Sequence, residues 1–220
     1  MRNRAFSVAI DGPAGAGKST IARQAAAQLG FVYVDTGAIY RTIGYAALSR
    51  GIDLTDHAAI EAMLPTVRVS MDWLDGVQHM YLNNTDVTGE IRTAEVSQSA
   101  SKVAAIPAVR QFLLDMQHDV ATKRSVIMDG RDIGTVVLPN ADVKIYLFAS
   151  VEVRAKRRWL EMQDIPFETI LREVEERDYR DMNREIAPLK AADDAVMLDT
   201  SELNLDESIQ AVIEIIRRKL

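Results

Sequence analysis

The stretch V-A-I-D-G-P-A-G-A-G-K-S-T, Val8 to Thr20, constrains this chain more than any other. Gly12, Gly17, Lys18 and Ser19 meet the spacing G-x-x-x-x-G-K-[ST]. Glycines let the backbone curl until successive N–H groups point inward, an arrangement that holds phosphate oxygens. Phe6 to Ile10 reads as a short apolar strand before the loop. Thr20 to Leu29 reads as a helix after it, so the helix N-terminus faces the anion. The loop from Gly12 through Pro13, Ala14, Gly15, Ala16, Gly17, Lys18 and Ser19 to Thr20 is therefore expected to hold the phosphates of a nucleoside triphosphate, which alone would suit a GTPase, an ATPase motor or a kinase. Lys18 is expected to reach the β/γ-phosphates, and the Ser19 hydroxyl to ligate Mg²⁺.

The order of elements extends that beginning. Apolar, β-rich segments at Ser7–Ile10, Val32–Val34, Val126–Met128, Val143–Phe148 and Val196–Leu198 alternate with helical patterns, as in a mostly parallel sheet covered on both faces. Helices are predicted at Thr20–Leu29, Ala38–Arg50, Ala94–Ala105, Ala108–Thr122, Val151–Gln163, Phe167–Met182 and Asp206–Lys219. In the last, Ile209, Val212, Ile213 and Ile216 share one face, which is expected to pack on the sheet. Thr66 to Thr88 breaks the rhythm with apolar–polar alternation and turn signals at Asp75-Gly76 and Asn83-Asn84. It reads as a hairpin or three short antiparallel strands inserted in an α/β fold.

A chain of 220 residues suits one domain with a small insertion. With no cysteine, disulfides and thiolate metal sites are excluded, which fits a reducing cytoplasm. No apolar run reaches the roughly 18 residues of a membrane span, and Met1 to Arg4 lead straight into a strand, so no signal peptide or membrane partner is expected. A net charge of −6 argues against a general nucleic-acid binder.

Three further clusters carry chemistry. V-D-T-G-A-I-Y-R supplies Thr36, a candidate cap for its helix, and Arg41. S-V-I-M-D-G-R-D-I-G-T ends a strand on Asp129, suited to supporting Mg²⁺ directly or through a water, and follows it at once with Arg131 and Asp132 in a loop. E-R-D-Y-R-D-M-N-R, if helical throughout, puts Arg177, Asp181 and Arg184 on one face, with Arg180 and Arg184 as a second pair. Arginines from three remote segments suit a second phosphate group and the charge of a moving phosphoryl.

Taken with S-K-V-A-A-I-P-A-V-R and the sequel L-P-N-A-D-V-K-I-Y-L, these motifs resemble the bacterial cytidylate kinases of the nucleoside monophosphate kinase family over nearly the whole chain. The resemblance implies a single domain spanning 1–220, a monophosphate-binding insert at about 36–107, a helical lid at about 154–166, and a monomer. It implies that ATP donates its γ-phosphoryl to CMP or dCMP, giving ADP and CDP or dCDP. Lys18, Arg131, Arg184 and Arg158 become the catalytic set. Thr36, Arg41, Ser101, Arg110, Arg131, Asp132, Arg177, Asp181 and Arg184 become the acceptor contacts, with Arg41, Arg131 and Arg184 on phosphate, Ser101, Arg110 and Asp132 on the base, and Arg177 and Asp181 on ribose. Of the lid arginines Arg154, Arg157 and Arg158, one or more are expected at the ATP phosphates. Thr36 stands where the family commonly has serine, and Ser19 where many members have glycine.

The base assignment makes chemical sense. Cytosine presents an amine at position 4, which Asp132 and Ser101 can accept, whereas uracil presents a carbonyl that would face the carboxylate oxygen to oxygen. Among rivals, a guanine switch protein would need N-K-x-D, which is missing. A kinase of another small acceptor, UMP or a non-nucleotide, shares the loop but has little use for Ser101, Arg110 and Asp132. A non-catalytic nucleotide sensor stays open at this level.

Overall fold

The structure, a computed structural model, describes residues 4–220. Met1 to Asn3, part of the segment read above as leading into a strand, lie outside the described residues. The chain forms two compact units, one from 1–33 with 124–220 and one from 34–123.

A five-stranded sheet has the order β2-β6-β1-β7-β8, with β1 Ser7–Asp11, β2 Val32–Asp35, β6 Val126–Gly130, β7 Val143–Phe148 and β8 Val196–Asp199; all but the last two residues of β2 belong to the first unit. The pairs β1–β6, β1–β7 and β7–β8 run parallel. Strand β1 is central, and Val8, Ala9 and Ile10 are wholly buried, which explains why it reads as a continuous apolar run. Helices α1 (Lys18–Leu29) and α8 (Leu205–Arg217) supply Ile21, Ala22 and Ala25, and Ile209, Val212, Ile213 and Ile216, to the same core. Each such Ile contributes about 1.5–3 kcal/mol through burial. Gly30 ends α1 at φ 69°, its N–H reaching the Ala26 and Ala27 carbonyls. Asn204 and Glu207 start α8 with a reciprocal capping box. Helices α6 (Val151–Glu161) and α7 (Phe167–Met182) share a smaller core of Ala155, Ile170 and Val174.

The second unit holds α2 (Thr36–Leu48), α3 (His57–Met63), the antiparallel sheet β3-β4-β5, α4 (Ala94–Val103) and α5 (Pro107–Lys123). Strands β3 (Val69–Leu74), β4 (Val77–Leu82) and β5 (Thr85–Asp86) form the three-stranded alternative foreseen for Thr66–Thr88. Both expected turns are present. Asp75 and Gly76 have φ 51° and 76°, and Asn83 and Asn84 have 51° and 68°, the left-handed pairs that tight hairpins demand.

Three sequence readings need correction. Helix α2 begins at Thr36, because Asp35, not Thr36, is its cap, accepting from the Ala38 N–H at 2.9 Å. Helix α3 was not foreseen; Asp56 caps it, and it buries only Ile60 and Met63. Helix α7 stops at Met182, so Arg184 lies beyond it and does not share a helical face with Arg177 and Asp181, nor pair helically with Arg180. Ala187 adopts φ 50° and the Leu189 N–H donates to the Asp181 carbonyl at 2.8 Å, folding the chain back instead.

Candidate active site

In the first unit the phosphate loop leaves the end of β1 and enters α1. Gly12 has φ 150°, and a Cβ there would collide with the Leu147 carbonyl, so no larger residue fits. Gly17, at φ 83°, precedes the first residue of α1. The loop is occupied on its inner side by Lys18, whose Nζ donates to the Pro13 carbonyl at 2.7 Å. Lys18 is buried, and desolvation pushes its pKa down to about 7, helped by the nearby charge of Arg131 and, to a smaller extent, Arg177. Asp129 and Asp11 pull the other way. A lysine crowded by two guanidinium groups in a dry place is a site waiting for anionic charge.

The Ser19 Oγ donates to Asp129 Oδ2 at 2.8 Å, and Tyr33 Oη donates to Oδ1 at 3.0 Å. A helix-start hydroxyl and a strand-end carboxylate in contact form a hard oxygen donor set of the kind Mg²⁺ takes, with Tyr33 fixing the carboxylate. The residues present therefore fit the ion expected from the sequence.

Arg131 leaves β6 and its Nε donates to Asp181 Oδ2 at 2.8 Å. Arg184 Nη2 reaches the other oxygen, Oδ1, at 3.2 Å. Burial alone would lower the Arg131 pKa, but the charge and hydrogen bond of Asp181 outweigh it and raise it. Burial likewise opposes ionisation of Asp181, and Arg131 and Arg184 outweigh it, holding the carboxyl below its ordinary range. Asp132 is buried beside them in sequence. Arg177 lies one turn before Asp181 on α7 and contributes to the same positive field. Thus, within one unit, Arg131 and Arg177 act electrostatically both on Lys18 and on Asp181, which Arg184 also faces.

The lid arginines take separate places. Arg154 is buried, donating to the Ala149 carbonyl at 2.9 Å and to Ala14 of the phosphate loop at 3.0 Å, and pairing with Asp178 at 2.6 Å. Arg157 donates to the Thr200 carbonyl at 2.6 Å. Arg158 pairs with Glu173 at 3.3 Å on the solvent side. Arg154 thus backs the loop from behind.

In the second unit, Thr36 is buried at the first position of α2. Arg41, one and a half turns on, pairs with Asp35 at 2.7 Å. Gln78 of β4 accepts from the Asp35 N–H at 2.7 Å, tying the helix start to the small sheet. Arg110 is buried on α5, donates weakly to the Ala104 carbonyl at 3.4 Å, and lies 5.9 Å from the centre of the Tyr40 ring. Ser101 is half-buried on α4.

Sequence reasoning passed over Asp11 and Tyr33, and it gave Asp35 and Asp178, members of its clusters, no role of their own. For Asp11 a signal was available: a carboxylate closing an apolar strand, where a charge needs a partner.

Fold and loop define an α/β nucleotide-binding protein of the phosphate-loop kind. The cytidylate kinase family profile matches residues 8–218. Cytidylate kinase of Lactobacillus johnsonii is 46% identical, spanning 99% of this chain and 96% of that protein. Cytidylate kinase of Leuconostoc mesenteroides is 48% identical, spanning 98% of each. A solved structure of an uncharacterized protein from Eubacterium ventriosum aligns with a TM-score of 0.53 at 11% identity, over 96% of this chain and 98% of that one, a likeness of fold alone. The chain belongs to the cytidylate kinase family.

Among the described residues, no helix is long and apolar enough to cross a membrane.

Proposed function

We propose that the chain is an ATP-dependent kinase of CMP and dCMP whose residues divide the work as follows. The loop Gly12–Thr20 holds the ATP phosphates. Lys18, Arg131, Arg184 and Arg158 offset charge on the phosphoryl in flight. Thr36, Arg41, Ser101, Arg110, Arg131, Asp132, Arg177, Asp181 and Arg184 are the residues assigned to the monophosphate. The segment at about 36–107 is the acceptor-binding insert, and the one at about 154–166 the lid, of a single monomeric, cytoplasmic enzyme domain. Ser19 and Asp129 would hold Mg²⁺, which when bound neutralises phosphate charge.

One observation carries this reading. Lys18, desolvated and pressed by Arg131 and Arg177, has its charged form disfavoured until an anion arrives. A tetraanionic donor and a dianionic acceptor supply that charge. An oxygen of the CMP α-phosphate attacks the γ-phosphorus while the bond from that phosphorus to the β-bridging oxygen breaks, releasing ADP. The attacking oxygen is already anionic, so no carboxylate serves as general base. The protein aligns the groups, excludes water and spreads positive charge over the equatorial oxygens. Asp132 accepts from the cytosine amine and rejects uracil.

The test is a panel of acceptors (CMP, dCMP, UMP, AMP and shikimate) with ATP and Mg²⁺, monitoring ADP release. CMP and dCMP are expected to be turned over well and the others poorly. Turnover of shikimate, or of UMP as readily as CMP, removes the reading.

A further inference from the structure

Asp11 closes β1 one residue before the phosphate loop, and its side chain grips a different loop. Its Oδ1 accepts from the Ile133 N–H and its Oδ2 from the Gly134 N–H, both at 2.7 Å. These donors open the π-helical turn Ile133–Val137, where initial N–H groups have no partner within the turn. A carboxylate buried to 4% exposure satisfies both at once. Arg131 and Asp132 lie directly between this turn and the end of β6. Arg131 Nη1 also donates to the Gly130 carbonyl at 3.2 Å, and the Asp132 carbonyl accepts from Val136 at 2.9 Å and Val137 at 3.2 Å. The two residues are thus held from β6 on one side and from the turn on the other, and the turn itself is held by Asp11.

We propose that Asp11 is a positioning residue for acceptor recognition, fixing the loop of Arg131 and Asp132 in register with the phosphate loop. The inference rests on the assignment of Arg131 and Asp132 to CMP. Gly134 completes the fit. A Cβ there would lie 3.3 Å from Asp11 Oδ2 and 3.1 Å from Lys144 Cδ, tight enough to push the turn off the carboxylate. Lys144 has little room to yield, since it is buried and its Nζ is tied to Asp194 at 2.8 Å. Asparagine at position 11 keeps the shape but turns an NH₂ toward one of the two N–H donors, exchanging attraction for repulsion.

The experiment compares Asp11→Asn, Gly134→Ala and, as reference, Asp132→Asn by steady-state kinetics with CMP, UMP and ATP, alongside thermal melting. Asp11 also acts electrostatically on Lys18, so Gly134→Ala, which keeps the carboxylate, is the variant that decides if Asp11→Asn disturbs ATP binding or does not fold. The expected result is a KM for CMP raised on the order of tenfold, a reduced preference for CMP over UMP, and a KM for ATP unchanged in Gly134→Ala. A lower melting temperature with both KM values and the preference unchanged would make the contact merely structural and overturn the proposal. So would equal rises in the two KM values for Gly134→Ala. If Asp132→Asn leaves the CMP preference intact, the base-reading assignment itself fails. If Asp132→Asn narrows the preference while Gly134→Ala does not, the positioning role alone fails.

Discussion

Replacing Asp181 with alanine strikes the point where the positive cluster is held together. Its two oxygens receive Arg131 at 2.8 Å and Arg184 at 3.2 Å, and the side chains of Asp181 and Arg184 are 4% and 8% exposed. Removing one partner of a buried ion pair costs about 3–5 kcal/mol, most of it from the charge left behind. Arg131 is 20% exposed and keeps some access to water, so the lower end, about 3 kcal/mol, is the better figure. For a chain of this length that corresponds to a fall in melting temperature of about 6–12 °C. The same argument predicts a compensating effect. With Asp181 gone, Arg131 and Arg184 lose their internal anion, so at one and the same concentration inorganic phosphate should recover more stability in the variant than in the parent. That difference reports Kd for inorganic phosphate, which should tighten in Asp181→Ala. Differential scanning fluorimetry across a phosphate series measures both. A melting temperature within 2 °C of the parent, or phosphate affinity unchanged, would refute the view that these guanidinium groups are desolvated and charge-starved.

Three other outcomes follow from the same geometry. Free Lys18 titrates near pH 7 and phosphates would raise its pKa, so between those values ATP binding should take up a proton and weaken as pH rises; calorimetry in buffers of different ionisation enthalpy measures the uptake, which Lys18→Arg should abolish. Asp129→Asn should raise the Mg²⁺ concentration needed for half-maximal rate, since the Ser19 hydroxyl then meets a weaker partner at 2.8 Å; an unchanged Mg²⁺ titration contradicts the metal assignment. Arg154→Ala leaves Asp178 buried without its ion-pair partner and frees the Ala14 carbonyl, so it should lower the melting temperature by several degrees and raise KM for ATP, whereas Arg172→Ala, exposed on α7, should do neither.

What the sequence made legible was whatever depends on short-range spelling. The loop from Gly12 to Ser19 is written in consecutive residues, and its strand and helix follow from local apolar patterning. The turns at Asp75-Gly76 and Asn83-Asn84 were legible because left-handed backbone tolerates few residue types. The end of α7 was not, since R-D-Y-R-D-M-N-R continues the helical charge pattern while Ala187 and the Leu189-to-Asp181 hydrogen bond, set by folding back, reverse the chain. Arg184 still meets Asp181, by a route that helical spacing does not describe. Thr36 lost its capping role to Asp35 because two adjacent residues could each cap, and only tertiary contacts decide which does. Arg154 could be read only as one of several lid arginines, because its ties to Ala14, Ala149 and Asp178 span distant segments.

The central claim is that two anionic nucleotides bind end to end, with Lys18 and Arg131 serving the phosphoryl that passes from one to the other. The most direct measurement is the affinity of a bisubstrate compound in which adenosine and cytidine are linked 5′ to 5′ through five phosphates. The account predicts binding tighter than that of ATP by a factor on the order of 10² or more, competitive with both substrates and lost in Lys18→Ala and Arg131→Ala. Affinity no better than that of ATP, or failure to compete with CMP, would contradict it.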